Sequence, residues 1–269
     1  MTEVERLIII PAFQERDYIR RVLAAVDVFR ADCTNSVMRG YDVVVVDDGS
    51  TDSTGNIARS KGFKVLTHSE RLGKTQGLRT GVEYAREKGI PYVATIDADS
   101  LNLSIDMVEW LINPVAREGM LMTIGMISDS PHNLYIYNYM FSGQRAFNTR
   151  VFDPWFDEKH PDHEHWKFMM SFKWPELGLA YLVPKGKVRL LEEIGVFEHR
   201  PALRPGKEGG VNALFAREQG ECVQEIERYA SQHGLNDNIP LNMLTSDSLA
   251  VFQRALKSIQ GPRRNGLTP

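Results

Sequence analysis

An open α/β fold, with a mostly parallel sheet between layers of helices, is what this sequence predicts, and three observations predict it. Short, nearly continuous apolar runs recur, among them Leu7-Ile8-Ile9-Ile10, Val43-Val44-Val45-Val46 and Tyr92-Val93-Ala94-Thr95-Ile96. Runs of that length and β-branched content suit central parallel strands covered on both faces. Stretches of helical periodicity separate them, which is the β-α alternation of a parallel sheet with right-handed crossovers. Finally, the runs end on turn formers and carboxylates: Pro11-Ala12-Phe13, Asp47-Asp48-Gly49 and Asp97-Ala98-Asp99. In open parallel sheets ligands gather at those carboxyl ends.

Taken in order, the first run is closed by Pro11, and Ile19, Val22, Leu23 and Val26 then recur at helical spacing. The valine run passes abruptly into Asp47-Asp48-Gly49-Ser50-Thr51-Asp52, residues that favour turns and helix caps. A short helix through Ile57 and Ala58 follows, then a strand around Phe63-Lys64-Val65-Leu66 and a helix from about Thr75 to Arg86 with Leu78, Val82 and Ala85 on one side. Met120 to Met126 reads as a further strand, its methionines as core filler. Tyr135, Tyr137 and Tyr139 alternate with other residues, a pattern that favours a packed amphipathic segment over an acceptor platform. Val188 to Val196 reads as a strand. From Val211 the pattern is helical, with Leu214, Phe215, Cys222, Ile226 and Tyr229 inward, and another helix covers about Ser248 to Ile259. These readings divide the chain into a unit over residues 1–210 (a nucleotide-binding half to 103, an acceptor half after it) and a helical extension over 211–269.

Composition excludes several function classes. Hydrophobic residues at 42% and charged residues at 25% are ordinary for a globular domain of 269 residues. A net charge of −3 gives no global attraction to nucleic acid. Cys33 and Cys222 fit neither a zinc spacing nor a disulfide framework, which points to a reducing compartment. No apolar run approaches the roughly 18–20 residues that span a bilayer, and Met1-Thr2-Glu3-Val4-Glu5 does not read as a signal peptide. The expectation is a cytoplasmic protein, at most peripheral to a membrane.

The chemistry is concentrated at the strand ends. Asp97 and Asp99, one residue apart where a strand frays, can turn two hard oxygen ligands toward one point, suiting Mg²⁺ or Mn²⁺ and thereby a diphosphate. An acidic turn is the plainer alternative, and Asp47, Asp48 and Asp52 also serve as capping residues. Arg71-Leu72-Gly73-Lys74-Thr75 places a cation and a glycine just before a helix, where backbone N–H groups can face a phosphate. Neither the Walker A order nor a G-x-G-x-x-G fingerprint is present, which excludes a P-loop and argues against NAD or FAD.

Ile9-Ile10-Pro11-Ala12-Phe13-Gln14-Glu15, Val45-Val46-Asp47-Asp48-Gly49-Ser50-Thr51-Asp52, Leu72-Gly73-Lys74 and Asp97-Ala98-Asp99 together resemble family 2 glycosyltransferases, which have a GT-A fold. The nearest likeness is to the dolichyl-phosphate and polyprenyl-phosphate sugar transferases. It is ordered over about residues 6 to 103, continues through Phe141-Ser142-Gly143-Gln144-Arg145-Ala146-Phe147, and then fades. The resemblance implies a nucleoside-diphosphate sugar donor of UDP or GDP type, with polyprenyl phosphate one candidate acceptor and a homodimer one candidate assembly. It implies that Pro11, Ala12, Phe13 and Glu15 line the base and ribose pocket, that Asp48 bonds the base or ribose with Asp47 shaping the turn, and that Gly73 and Lys74 hold the nucleotide. Asp97 would take the ribose or a metal-bound water, Asp99 would ligate Mg²⁺ or Mn²⁺, and Arg145 would face a phosphate. Gln14 stands where the family usually has Asn. Leu101 stands where the polyprenyl-phosphate subgroup often has Gln, which loosens the likeness to that subgroup more than to the family.

The stretch from Phe152 to Trp174 is acidic, aromatic and His-rich. It reads either as a cover over the sugar site or as an exposed loop with ordinary charges. His163 and His165 lie at i, i+2 rather than the i, i+4 of zinc helices. By analogy with the family, an acidic residue opening the next helix acts at the acceptor, which nominates Glu176 first and Glu164 second as the base. A late histidine often ligates metal in such enzymes, which nominates His199, against a purely structural histidine. Arg200, Arg204 and Lys207 suggest a basic loop that closes on phosphate, against a solvated connector. The implied reaction is sugar transfer to a hydroxyl or phosphate with inversion. A retaining transferase acting on a small phosphorylated acid, a non-catalytic nucleotide-sugar binder and a nucleotidyltransferase are the alternatives. The last is disfavoured because no Gly-rich cationic loop follows the first strand.

Overall fold

The structure is a computed structural model and describes residues 5–31, 41–126, 142–191 and 210–235. Seven strands form one sheet: β1 (Arg6–Ala12), β2 (Tyr41–Asp47), β3 (Lys64–Thr67), β4 (Tyr92–Thr95), β5 (Met122–Gly125), β6 (Arg145–Asn148) and β7 (Val188–Leu191). Their order is β3-β2-β1-β4-β6-β5-β7. β1 pairs in parallel with β2 and β4, β2 with β3, and β5 with β7. β6 is the exception, inserted antiparallel between β4 and β5.

Eight α-helices surround the sheet among the described residues: α1 (Ile19–Ala31), α2 (Thr54–Ser60), α3 (Lys74–Glu87), α4 (Ile105–Arg117), α5 (Asp153–Phe156), α6 (His163–Met169), α7 (Pro175–Leu182) and α8 (Gly210–Gln232). The apolar run of β1 shows why the sheet needs helices on both faces. Successive strand side chains point to opposite faces. Leu7 and Ile9 accordingly pack with α3, α7 and α8 residues such as Leu78, Val82, Leu177 and Ile226, whereas Ile8 and Ile10 pack with Val22, Leu23, Val108 and Leu111 of α1 and α4. All four side chains are fully buried. At roughly 25 cal/mol per Å² of apolar surface, these two cores dominate the stability of the fold.

The alternating β-α order expected from the sequence is present through β4. Helix α4 went unassigned in the sequence reading, although Val108, Leu111, Ile112 and Val115 form its buried face. It opens on Ser104, whose side chain accepts from the Met107 N–H at 3.3 Å, and closes one turn after Pro114. β6 was likewise not foreseen as a strand. The segment 152–174 is no exposed loop. It forms a 3₁₀ turn, α5 and α6, and its Trp155 and Trp166 are buried around Phe152, with the Phe152 and Trp166 rings meeting edge to face at 5.7 Å. The aromatic content that looked like a cover is core. The tyrosines at 135–139, the basic segment around Arg200, Arg204 and Lys207, His199, and the helix expected near 248–259 all lie outside the described residues.

Candidate active site

The loops after β1 and β2 are stitched to each other. The Gln14 N–H donates to Ser50 Oγ at 3.1 Å, the Glu15 N–H to Thr54 Oγ1 at 2.9 Å and the Arg16 N–H to Asp52 Oδ2 at 3.1 Å. Asp47 shapes its own turn, as expected, accepting the Ser50 N–H at 3.1 Å. Gly49 follows at φ +72°, and a Cβ there would meet the backbone of Glu70 at 2.7 Å, so the turn and the next loop approach as closely as only glycine allows.

Asp48, which the resemblance assigns to the base or ribose, is held by protein partners. Its buried carboxylate accepts the Leu72 N–H and the Gly73 N–H, each at 2.8 Å, and meets His68 Nδ1 at 2.7 Å. His68 is in turn braced by Thr80 Oγ1 at 2.9 Å from its Nε2. Asp48 therefore holds the Arg71–Gly73 loop against the sheet edge through charge-assisted bonds. That loop carries Arg71, whose guanidinium lies 4.3 Å over the Phe13 ring, a cation–π contact at the rim of the cleft. Sequence reasoning missed His68; its only signal was a polar residue one step past a strand.

Just beyond the anchored loop, α3 begins at Lys74. Its ammonium lies 2.7 Å from Asp97 Oδ1 at the end of β4 and 2.6 Å from Glu176 Oε1 in the first turn of α7. Burial alone pulls the Lys74 pKa down, but the two carboxylates outweigh it and hold the pKa well above the ordinary lysine value. Glu176 follows Pro175 at the helix start, where both proline and an acidic side chain suit the helix end. The other Asp97 oxygen accepts Gln144 Nε2 at 3.0 Å, and the Asp97 N–H donates to Gln144 Oε1 at 3.3 Å. Gln144, fully buried, was not singled out in the sequence. Gly143 beside it has no room for a side chain: a Cβ would stand 2.5 Å from Lys74 Nζ and 2.6 Å from Asp97 Oδ2.

The structure thus brings Pro11, Lys74, Asp97, Gly143 and Glu176 to one place, beside a small, mostly apolar cavity in which Pro11, Leu78, Phe147, Pro175 and Leu179 join Lys74, Thr95, Gly143, Arg145 and Glu176. Arg145 reaches this cavity from below. It is 1% exposed, its Nε donates to the Ser142 carbonyl at 2.7 Å and its Nη1 lies 3.3 Å from Met122 Sδ. Ala12, at the end of β1, and Glu15, in the loop after it, are both buried. Asp99 lies half-buried two residues past Asp97. Glu164, by contrast, is exposed on α6 and faces Lys167 at 3.7 Å. His163 and His165 are occupied by the Pro154 carbonyl and the Tyr229 hydroxyl, each at 2.9 Å.

Among the described residues no three His, Cys, Asp or Glu side chains form a metal-holding group. Asp97 and Asp99 are the carboxylates that would hold Mg²⁺ or Mn²⁺, since such ions are commonly held by one or two carboxylates and complete their shell with substrate phosphates and water.

A mostly parallel sheet with one antiparallel strand, and acidic loops meeting a lysine at its carboxyl edge, is an α/β architecture of the GT-A kind. The chain belongs to Glycosyl transferase family 2, whose profile matches residues 7–174. An uncharacterized protein of Methanocaldococcus jannaschii is 35% identical over 122 residues, 45% of this chain and 46% of that one. The 4,4'-diaponeurosporenoate glycosyltransferase of Staphylococcus aureus is 37% identical over 98 residues, 35% of this chain and 24% of that one. The matched stretch thus spans about half of the first relative and a quarter of the second. Among solved structures, glucosyl-3-phosphoglycerate synthase of Mycobacterium tuberculosis with Mg²⁺ and UDP superposes with a TM-score of 0.57 at 18% identity, covering 82% of this chain and 79% of that one. The same enzyme with Mn²⁺, UDP and phosphoglyceric acid gives a TM-score of 0.57 at 19% identity, covering 87% and 79%. At that identity the likeness speaks for the fold. None of the described helices is long and apolar enough to cross a membrane.

Proposed function

We propose that this chain transfers a sugar from a nucleoside-diphosphate sugar to an acceptor hydroxyl or phosphate, with Mg²⁺ or Mn²⁺ held at Asp99 and Asp97. The observation that carries this reading is the meeting of Asp97, Lys74 and Glu176 at the carboxyl edge of the sheet. The family membership supports it, and the UDP complexes of the structural neighbours favour a UDP-type donor.

Each part of the site has a task in that reaction. Pro11, Phe13 and Arg71 form the rim against which a base would lie. The Gly73 N–H is taken by Asp48, so what the anchored loop presents to a phosphate is the N-terminal end of α3 with Lys74 at its first position. Lys74 stands where negative charge develops as the bond to the diphosphate breaks. When bound, the divalent cation neutralises part of that same charge. For a hydroxyl acceptor Glu176 would receive the proton, and that direct displacement gives inversion. Arg145 supports the floor beneath.

A second reading has a specific observation behind it. One Glu176 oxygen is engaged by the Lys74 ammonium at 2.6 Å, so that oxygen already has a partner where an acceptor hydroxyl would have to reach it. A structural neighbour holds phosphoglyceric acid. Both favour a retaining transfer to a small phosphorylated acid, in which no protein base is needed at that position.

The deciding experiment is a thermal-shift panel of UDP, GDP, dTDP and CDP, each with and without Mn²⁺. A ligand bound only by the folded state raises stability by roughly 2.7 kcal/mol at a hundred times its dissociation constant. A Mn²⁺-dependent shift with one diphosphate is expected, and silence across the panel rejects the reading. Product anomers then separate the inverting from the retaining reaction.

A further inference from the structure

We propose that Lys74 is a built-in counter-ion that competes with the divalent cation for Asp97, so that metal enters the site only together with a diphosphate. The inference rests on the transferase reading and concerns the order in which its ligands can bind.

The argument starts from how Asp97 is occupied. One oxygen faces an ammonium at 2.7 Å and the other accepts an amide N–H at 3.0 Å. The ammonium is also held by Glu176 at 2.6 Å, and Gly143 packs so closely that a single added carbon would touch both Nζ and the carboxylate. A hard cation approaching Asp97 would meet a positive charge already seated within hydrogen-bond distance. At such separations like charges repel strongly, and more so away from bulk water. In exchange the ammonium neutralises two carboxylates that are only 17% and 5% exposed, whose mutual repulsion would otherwise have to be met by the cation itself. The protein therefore carries its own cation in the place where a metal would do the same work.

A diphosphate changes this balance. Its charge offers Lys74 a new partner at the start of α3 and offers the metal phosphate oxygens. An ammonium on a flexible four-carbon stem can turn from carboxylate to phosphate without backbone movement. Asp97 then becomes available to the metal, or to water bound to it, and Glu176 is released at the same moment. Lys74 in this account is a positioning residue that couples nucleotide arrival to cation entry and to exposure of the Glu176 carboxylate.

The test is Mn²⁺ affinity by titration calorimetry or by the electron paramagnetic resonance of free Mn²⁺. It is measured on the wild-type chain and on Lys74→Met, without nucleotide. The variant is expected to bind Mn²⁺ at least tenfold more tightly than wild type, a gain that a merely structural lysine would not produce. Adding Asp97→Asn to it should remove the gain. Equal or weaker Mn²⁺ binding by Lys74→Met overturns the proposal. Lys74→Gln, whose amide can still bond one carboxylate, serves if the methionine variant does not fold. Should both misfold, the wild-type chain decides: Mn²⁺ affinity must rise at least tenfold when UDP is present, and equal affinity with and without UDP overturns the proposal. Because the variant comparison uses metal alone, it can succeed or fail independently of whether any nucleoside diphosphate binds.

Discussion

Gln144 grips Asp97 with both ends of its amide, Nε2 donating to Oδ2 at 3.0 Å and Oε1 accepting the Asp97 N–H at 3.3 Å. The same Nε2 lies 3.3 Å from Ser100 Oγ, so the amide is held across the end of β4. An aspartate fixed on both backbone and side chain has one rotamer, which is what a ligand-binding carboxylate needs. Gln144→Leu keeps the volume and removes the grip. It should lower stability by about 1–3 kcal/mol, the cost of leaving buried polar groups unpaired. Mn²⁺-dependent nucleotide affinity should fall about tenfold or more, as for other partners of metal-site residues. Urea unfolding and calorimetry measure the two losses separately, and unchanged affinity would show that Asp97 is held by Lys74 alone.

Asp99→Ala removes the carboxylate that the proposed function gives to the metal, from a half-buried position outside the two cores. The expected outcome is a folded protein whose nucleotide affinity no longer responds to Mn²⁺. Circular dichroism checks the first part and titration with and without Mn²⁺ the second. A preserved Mn²⁺ response would move the metal site elsewhere.

Gly143→Ala adds one methyl group at the most crowded point of the site. The backbone has little freedom to yield, because Thr95 Oγ1 donates to the Gly143 carbonyl at 2.7 Å. The added carbon must displace Lys74 or Asp97. Overpacking of this kind costs up to about 3 kcal/mol, and nucleotide affinity should fall because Lys74 and Asp97 are pushed from their places in the site. A variant that binds as well as wild type would mean that the Lys74–Asp97 pair moves freely.

The pH dependence follows from the raised Lys74 pKa. A group held above its unfolded value contributes stability that is fully present below about pH 10.4, the unfolded lysine pKa, and is lost as the pH rises through the folded value. The stability difference between wild type and Lys74→Met should therefore be constant from pH 7 to about pH 10 and decline only above it. Denaturant unfolding of both proteins across that range checks the sign. A decline that begins near neutrality would contradict the geometry of the triad.

The sequence by itself determined the scaffold and pointed to the strand ends as the candidate site. Leu7 to Ile10 and Val43 to Val46 are buried on both faces because a parallel strand between two helical layers has no polar side, and that shows in a continuous apolar run. The carboxylates at the strand ends were legible for the complementary reason: local turn chemistry is written in local sequence. Tertiary structure alone decided the rest. β6 is the mixed four-residue stretch Arg145-Ala146-Phe147-Asn148, which pairing with β4 and β5 turns into a strand, and strand preference depends on such neighbours more than on the residues themselves. The tryptophans of residues 152–174 gave no sign of whether they covered a site or filled a core, since both uses need the same side chains. The charged triad was out of reach for a sharper reason. Lys74, Asp97 and Glu176 lie far apart in the chain, and only the packing of α3, β4 and α7 brings an ammonium within 2.7 Å of two carboxylates. Ion pairing at that range depends on distance and burial, neither of which a sequence states.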